Sequence, residues 1–285
     1  MQLLIVGASG YIGESLLKSA KSVCNACGTS SNNETKLLSL HLEQSDDFNY
    51  GLIQPADVVL LLAAISSPDI CAREHERAWA VNVTGTSKFI AEALARGARV
   101  VFFSSDTVYG ERKDKFDERT VCKPVGEYAV MKNEVERRFS ENPSFKSIRL
   151  SYVFSHEDKF TRYLAGCAQR NEEAEVFHPF SRAVVQREDV VDGALALAQR
   201  WEEFHQRVLN FGGPEVLSRI EFAECLQRTV LPNLRFRVTE PDEAFFENRP
   251  RIIAMSSPLL SKVLGRPART LGEAARIEFS KHSIR

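Results

Sequence analysis

The sequence has almost no charge imbalance and no long apolar run. It contains 37 lysines and arginines against 38 aspartates and glutamates, for a formal net charge of −1. Such a balance gives no electrostatic attraction to nucleic acid or to an anionic membrane. No apolar stretch approaches the roughly 20 residues of a membrane span, and the strand-like segment directly after Met1 leaves no room for a signal peptide. We therefore expect a cytoplasmic protein without nucleic-acid or membrane partners.

Cysteine is scarce and scattered along the chain. Of the six cysteines, only Cys24 and Cys27 form a C-x-x-C pair, and this pair lies in a predicted strand. No second pair stands at the spacing of a zinc site. We expect packed thiols at these positions and no bound metal.

Regular structure is predicted throughout the first half. Apolar residues make up 44% of the chain, an ordinary globular share that excludes disorder. Apolar runs alternate with amphipathic stretches, as in a parallel sheet covered by helices on both faces. The pattern predicts strands over 3–6, 22–27, 37–42, 57–64, 100–103 and 147–153, and helices over 11–21, 74–96 and 127–140. The predicted fold class is α/β, a Rossmann-type doubly wound parallel sheet.

The second half has a looser pattern. It predicts helices over 190–203, 218–226 and 258–264, and strands over 208–211 and 231–238. The second of these helices begins with a capping box at Ser218 and Glu221, and the last ends at Gly265. Because no linker separates the halves, we expect a smaller, interwoven C-terminal lobe. The predicted domains are 1–153, to which 183–212 returns, and a mainly substrate-binding lobe over 154–285.

A glycine-rich loop follows the first predicted strand and opens the first helix. It runs Gly7-Ala8-Ser9-Gly10-Tyr11-Ile12-Gly13, spaced G-x-x-G-x-x-G rather than G-x-G-x-x-G. Glycines there let backbone N–H groups approach a pyrophosphate at the positive end of the helix. Glycine triplets also occur in turns for steric reasons alone, but the position between strand and helix favours dinucleotide binding. We expect Gly7, Ser9, Gly10, Tyr11, Ile12 and Gly13 to contact the cofactor.

The segment after the second predicted strand carries no acid. An NAD-binding fold usually has a carboxylate there for the adenine ribose, but Thr29, Ser30 and Ser31 precede two asparagines, and the first acid is Glu34. A carboxylate would repel a 2′-phosphate, whereas hydroxyls would bind one. We therefore expect NADP(H) to be favoured over NAD(H), with Thr29, Ser30 and Ser31 as contacts.

Three further residues suit carbonyl chemistry. Ser105 follows the predicted strand over 100–103, and Tyr128 and Lys132 share a helix face at i and i+4. A nearby ammonium lowers the pKa of a phenol from its ordinary value of about 10. A hydroxyl at Ser105 would hold a carbonyl oxygen while Tyr128 exchanges a proton with it. A Tyr-x-x-x-Lys pair alone is usually a solvated helix face, but the order after a dinucleotide loop favours catalysis.

These motifs together resemble the extended short-chain dehydrogenase/reductase family. The resemblance rests on Gly7, Gly10 and Gly13, on Ala63 and Ala64, on the run over 82–86, on Ser105 with the run over 108–110, and on Tyr128 with Lys132. It continues through 187–192, 212–215, 217–218 and 249–250, where it is most like the dTDP-4-dehydrorhamnose reductase branch. The resemblance thus covers nearly the whole chain.

The resemblance implies roles for individual residues. Ser105 would polarise the substrate carbonyl, Tyr128 would donate the proton, and Lys132 would bind the nicotinamide ribose and tune Tyr128. Ala63 and Ala64 would line the cofactor, and Asn82 would support the sheet beside it. Ser66, Thr107 and Arg249 are candidate substrate contacts, although a surface salt bridge is an almost equal alternative for Arg249, and Ser67 is a weaker candidate. His41 departs from the family, which usually has an acid there, and it either contacts the adenine or caps a strand end.

Three reactions share this scaffold. Dehydration needs a second base, usually a glutamate after the Asp, and Thr107 stands there instead. We therefore expect an NAD(P)H-dependent reductase of a nucleotide-linked 4-keto-6-deoxy sugar, and we expect Asp106 to cap its local turn. A nucleotide-sugar epimerase with tightly bound NAD is the first alternative, and a non-catalytic NADP-binding regulatory subunit is the second. The family implies a homodimer built on helices near 78–96 and 127–140.

Overall fold

The computed structural model describes residues 1–32 and 36–281. Its strands are β1 (Leu3–Val6), β2 (Ala26–Ser30), β3 (Leu38–Ser39), β4 (Val58–Leu61), β5 (Arg99–Ser105), β6 (Arg112–Phe116), β7 (Phe145–Leu150), β8 (Tyr152–Phe154), β9 (Glu173–Phe177), β10 (Ser181–Gln186), β11 (Val208–Phe211), β12 (Val216–Ser218), β13 (Arg235–Thr239) and β14 (Ile252–Met255). Its helices are α1 (Tyr11–Val23), α2 (Pro68–Arg73), α3 (His75–Trp79), α4 (Thr86–Ala95), α5 (Glu127–Phe139), α6 (Lys159–Arg170), α7 (Arg187–Gln199), α8 (Arg219–Thr229), α9 (Glu243–Phe246), α10 (Pro258–Leu264) and α11 (Leu271–Ser280).

A seven-stranded parallel sheet forms the centre of the molecule. Its strand order is β11-β7-β5-β4-β1-β2-β3, so the order reverses between β1 and β4. One face packs against α1, α7 and α10, and the other against α4 and α5, each through its own buried apolar cluster. The predicted doubly wound α/β fold is confirmed. Ligands of such sheets bind at the carboxyl ends of the strands, beside the point of reversal.

A second, smaller sheet has the order β12-β10-β14-β6, and β8 pairs with β10. The pair β13-β9 and helices α6, α8 and α11 pack beside it around a third apolar cluster. The chain crosses between the sheets repeatedly. β10 belongs to the second sheet, whereas α7 packs on the first and β11 pairs with β7 in it. The C-terminal half is therefore not one continuous unit.

Several predicted elements differ from the structure. The predicted strand over 147–153 is two strands, β7 and β8, which lie in different sheets on either side of Ser151. The predicted helix over 74–96 is interrupted by a π-helical stretch, Ala80–Gly85. There, a Cβ on Gly85 would stand 1.9 Å from the Leu42 carbonyl oxygen, so this turn lies directly on the neighbouring backbone. The periodicity of apolar residues along a helix does not predict a contact with a distant segment of backbone.

Other predicted boundaries shift. Helix α1 continues to Val23, so the predicted strand over 22–27 begins only at Ala26, and Cys24 caps the helix instead of lying in a strand. The strand over 37–42 shrinks to β3, and the strand over 231–238 starts four residues late, as β13. The capping box at Ser218 and Glu221 is confirmed. The helix over 258–264 is also confirmed, but α11 follows it, so it is not the terminal helix.

Within residues 1–32 and 36–281, no helix combines the length and the apolar character needed to cross a bilayer. Over the same residues, no three His, Cys, Asp or Glu side chains are grouped in a way that would hold a metal ion.

Candidate active site

A cavity of about 660 Å³ opens at the carboxyl ends of β1, β2, β4 and β5. It brings together most of the predicted site residues: Gly7, Ser9, Gly10, Tyr11, Ile12, Gly13, Thr29, Ser30, Ser31, Ala63, Ala64, Ser66, Tyr128 and Lys132. Four others, Asn82, Ser105, Thr107 and Arg249, do not line it. The glycine loop and the Tyr-x-x-x-Lys pair therefore line the same cavity.

The glycine loop is packed so closely that side chains would fill it. Gly7 has a φ of +91°, and a Cβ there would stand 2.8 Å from the Ala63 nitrogen. A Cβ on Gly13 would lie 2.1 Å from the Gly7 carbonyl oxygen. These glycines keep the loop flat at the start of α1, where helix N–H groups attract phosphate. A dinucleotide pyrophosphate fits this cradle.

Hydroxyl groups brace the loop from β2. The Oγ atoms of Ser9 and Ser30 are 2.9 Å apart, and the N–H of Gly7 donates to Oγ1 of Thr29 at 3.4 Å. Ser30 also accepts from the N–H of Asn32 at 2.9 Å. Asn33 and Glu34, which belong to the segment used to predict the cofactor, lie outside the described residues.

His41 and two residues that no motif identified also line the cavity. His41 lines the wall and precedes a 3₁₀ turn, Leu42–Asp47, so it does not end a strand. Glu43 and Arg77 line the cavity as well. Sequence reasoning missed Glu43 and Arg77 because each comes from a segment whose position depends on tertiary packing. The described wall thus carries one carboxylate that the acid-free segment after β2 did not predict.

Lys132 is buried at the inner end of the cavity. Only 2% of the residue is exposed, and its Nζ donates to the Phe103 carbonyl at 2.8 Å. The same nitrogen lies 4.5 Å from the centroid of the Phe102 ring. Burial lowers the pKa of Lys132 to about 8, which the nearby Glu136 partly opposes. The site therefore holds a desolvated ammonium at neutral pH.

Tyr128 lies next to that ammonium, but its pKa is raised where that of Lys132 is lowered. Burial raises the pKa of Tyr128 well above its ordinary value, and the charges of Cys71 and Asp106 add to the rise. The Lys132 Nζ lies 5.8 Å from the centre of the ring and points to a backbone carbonyl. The predicted lowering of the Tyr128 pKa by Lys132 is wrong for this structure, because desolvation raises that pKa. Tyr128 is a neutral phenol, the form that donates a proton.

Ser105 ends β5 and caps the turn that follows. Its Oγ accepts from the N–H of Thr107 at 3.2 Å and from Oγ1 of Thr107 at 2.9 Å. Thr107, a predicted substrate contact, donates its hydroxyl to Ser105 in this structure. Sequence spacing did not predict the hydrogen bond between Thr107 and Ser105, since spacing does not show which side chains meet within a turn.

Asn82, Arg249 and the weaker candidate Ser67 do not line the cavity. Oδ1 of Asn82 accepts from the Ile65 N–H at 2.8 Å, and Nδ2 donates to the Ile65 carbonyl at 2.9 Å, which holds the loop that carries Ala63 and Ala64. Arg249 forms an ion pair with Asp69, at 2.7 Å from Nη1 to Oδ1. Ser67 accepts from the Ile70 N–H as the cap of α2. In this structure Arg249 takes the salt-bridge alternative.

Comparison with known proteins places the chain in a family. A family model described as the RmlD substrate binding domain matches residues 1–272. The chain is 24% identical to a dTDP-4-dehydrorhamnose reductase of Aggregatibacter actinomycetemcomitans over 268 residues, which is 87% of this chain and 88% of that protein. It is also 26% identical to the methionine adenosyltransferase 2 subunit beta of Danio rerio, over 55% of this chain and 50% of that protein. A solved dTDP-4-dehydrorhamnose reductase from Clostridium acetobutylicum has the same fold, with a TM-score of 0.81, 21% identity and coverage of 99% of this chain and 100% of that one. The protein therefore belongs to the RmlD substrate binding domain family.

Proposed function

We propose that this protein is an NADP(H)-dependent oxidoreductase that reduces a nucleotide-linked 4-keto-6-deoxy sugar. The observation that carries the proposal is one cavity that is lined both by the glycine loop and by the buried Tyr128–Lys132 pair. The reductase from Aggregatibacter, which aligns over most of its length, supports the substrate class.

The chain's own groups supply proton transfer and orientation. When bound, the reduced nicotinamide supplies the hydride. Tyr128, a buried phenol that is neutral at pH 7, donates the proton that the carbonyl oxygen needs. Ser105 holds that oxygen with its hydroxyl, and the Lys132 ammonium stabilises the phenolate that Tyr128 becomes.

The alternatives have weaker support. Dehydration needs a carboxylate where Thr107 stands, and Thr107 is held in hydrogen bonds to Ser105. A regulatory role is favoured by the partial similarity to the Danio rerio subunit, but such a protein has no chemical need for Ser105, Tyr128 and Lys132 together. An epimerase would need the cofactor to stay bound through many turnovers.

Four finer assignments belong to this proposal. NADPH is preferred because Thr29, Ser30 and Ser31 carry no negative charge that would repel a 2′-phosphate. Residues 154–285, apart from 183–212, which return to the first domain, form mainly a substrate-binding lobe. The protein is a cytoplasmic homodimer built on α4 and α5, and light scattering after size-exclusion chromatography tests that state, because a monomer at micromolar concentration contradicts it.

A substrate screen tests the proposed activity. Purified protein is given a panel of nucleotide-linked 4-keto sugars with NADPH or NADH, and the absorbance of the reduced nicotinamide is followed. We expect one reduced sugar for each NADPH oxidised. Interconversion of sugars without net oxidation would favour the epimerase, and no reaction across the panel would favour the regulatory subunit.

A further inference from the structure

A buried carboxylate lies directly behind Ser105. Asp106 is only 4% exposed, although it lies in a turn at the end of β5. Its Oδ2 accepts from Ser151 Oγ at 2.7 Å and lies 3.8 Å from Nε of Arg182, while Oδ1 lies 3.4 Å from Ser105 Oγ. Burial raises the pKa of this carboxyl, and Arg182 and the two serines oppose the rise. A turn cap alone does not require a carboxylate held from three sides.

The groups that hold Asp106 come from different parts of the fold. Ser151 is the residue between β7 and β8, where the chain leaves the first sheet for the second. Arg182 is on β10 of the second sheet, 7% exposed, and it is itself fixed by the carbonyls of Pro250 at 2.6 Å and Arg251 at 3.1 Å. Both sheets thus fix the position of one carboxylate.

The hydrogen bonds around Ser105 leave one protein acceptor for its hydroxyl proton. A hydroxyl has one proton and two lone pairs. The lone pairs of Ser105 already accept from the N–H and the hydroxyl of Thr107. The proton is therefore directed to Oδ1 of Asp106, and the 3.4 Å separation makes that bond weak enough to exchange for a better acceptor.

We propose that Asp106 is a positioning residue: held by Ser151 and Arg182, it orients the Ser105 hydroxyl so that its proton passes to the carbonyl oxygen of a bound substrate. The inference rests on the proposed reductase function and adds a residue to it. Asp106 touches neither the reacting carbonyl nor the cavity wall, and its effect on turnover passes through Ser105.

A double-mutant cycle measures that dependence. Asp106→Asn keeps the size of the side chain but replaces one acceptor oxygen with a donor, so the Ser105 proton loses its fixed direction. We expect kcat to fall about 10- to 100-fold, with the Kd for NADPH changed less than about twofold. In a Ser105→Ala background, Asp106→Asn should cause no further fall, because residues that act through one another are not additive.

A matched control separates positioning from stability. Asp189 is also a fully buried aspartate paired with arginine, since its Oδ1 accepts from Arg266 at 2.7 Å, but it lies on α7 away from the cavity. Asp189→Asn should lower the unfolding temperature and leave kcat nearly unchanged. If Asp106→Asn does not fold, Ser151→Ala serves in its place. It removes the 2.7 Å hydrogen bond to Asp106 and should also lower kcat, by a smaller factor.

Crystal structures of the wild type and Asp106→Asn provide a test that needs no turnover. In the wild type we expect Ser105 to keep its hydrogen bonds to the N–H and the hydroxyl of Thr107. In the variant we expect the Ser105 side chain to rotate and lose one of them. An unchanged Ser105 rotamer, or additive effects in the kinetic cycle, would overturn the proposal. Should the wild type reduce no keto sugar, the reductase function fails, and the crystal structures still decide whether Asp106 positions Ser105.

Discussion

Replacing Lys132 with methionine should stabilise the protein while it destroys turnover. Burial lowers the pKa of Lys132 from 10.5 to about 8, and this difference corresponds to about 3 kcal/mol of unfavourable charge burial at pH 7. Loss of the 2.8 Å hydrogen bond to Phe103 offsets about 1 kcal/mol of that gain. Net stabilisation of about 1–2 kcal/mol should raise the unfolding temperature by about 2–5 °C.

The gain should depend on pH in one direction. Below pH 8 both the folded and the unfolded wild type carry the protonated Lys132, so the advantage of the variant is constant. Between pH 8 and 10.5 the unfolded wild type binds more protons than the folded one, so its stability rises with pH. The variant lacks this rise, and the difference in unfolding temperature should therefore shrink over that window.

Lys146 offers a matched control. It is 4% exposed, donates to the Phe204 carbonyl at 2.5 Å and lies 4.5 Å from the Trp201 ring, and burial lowers its pKa too. It does not line the cavity, so Lys146→Met should alter stability without selective loss of turnover or of NADPH affinity. Calorimetry from pH 7 to 10 with steady-state kinetics measures both effects. A Lys132→Met protein less stable than the wild type, or a pH-independent difference, would refute the reasoning.

Three further outcomes are expected. Tyr128→Phe should lower kcat about 100- to 10,000-fold with the fold and the Kd for NADPH nearly intact; near-normal kcat in a folded variant would remove Tyr128 from the mechanism. Calorimetric titration should show modestly tighter binding of NADPH than of NADH, whereas a clear preference for NADH would mean that Glu43 or Glu34 binds the ribose. Gly213→Ala should destabilise by about 3 kcal/mol, because its Cβ would stand 1.7 Å from the Val184 carbonyl oxygen, while Gly272→Ala, whose nearest neighbour is 3.7 Å away, should be close to neutral in thermal unfolding.

The residues predicted best from sequence are those whose chemistry depends on local order. Gly7, Gly10 and Gly13 follow a strand and open a helix, and Tyr128 and Lys132 share one helix face, so sequence spacing alone brought each set together. The direction of the Tyr128 pKa was not predictable, because it depends on how much surrounding structure excludes water. The hydrogen bond between Thr107 and Ser105 was not predicted, because it depends on the φ and ψ angles of a turn. Glu43 and Arg77 reach the cavity only through packing between distant segments.

The repeated crossing between the two sheets has a consequence for how the molecule can be divided. A fragment that ends near residue 153 would lack β11, and β7 would become an edge strand with an unpaired row of N–H and C=O groups. It would also lack α7 and α10, which cover one face of the first sheet. A cut at this point leaves neither sheet complete, since β6 would also be separated from β14, so the two sheets should melt as one cooperative unit. Grafting a C-terminal segment from a relative would therefore exchange parts of both sheets at once, and a new sugar preference is better sought by single substitutions along the cavity wall.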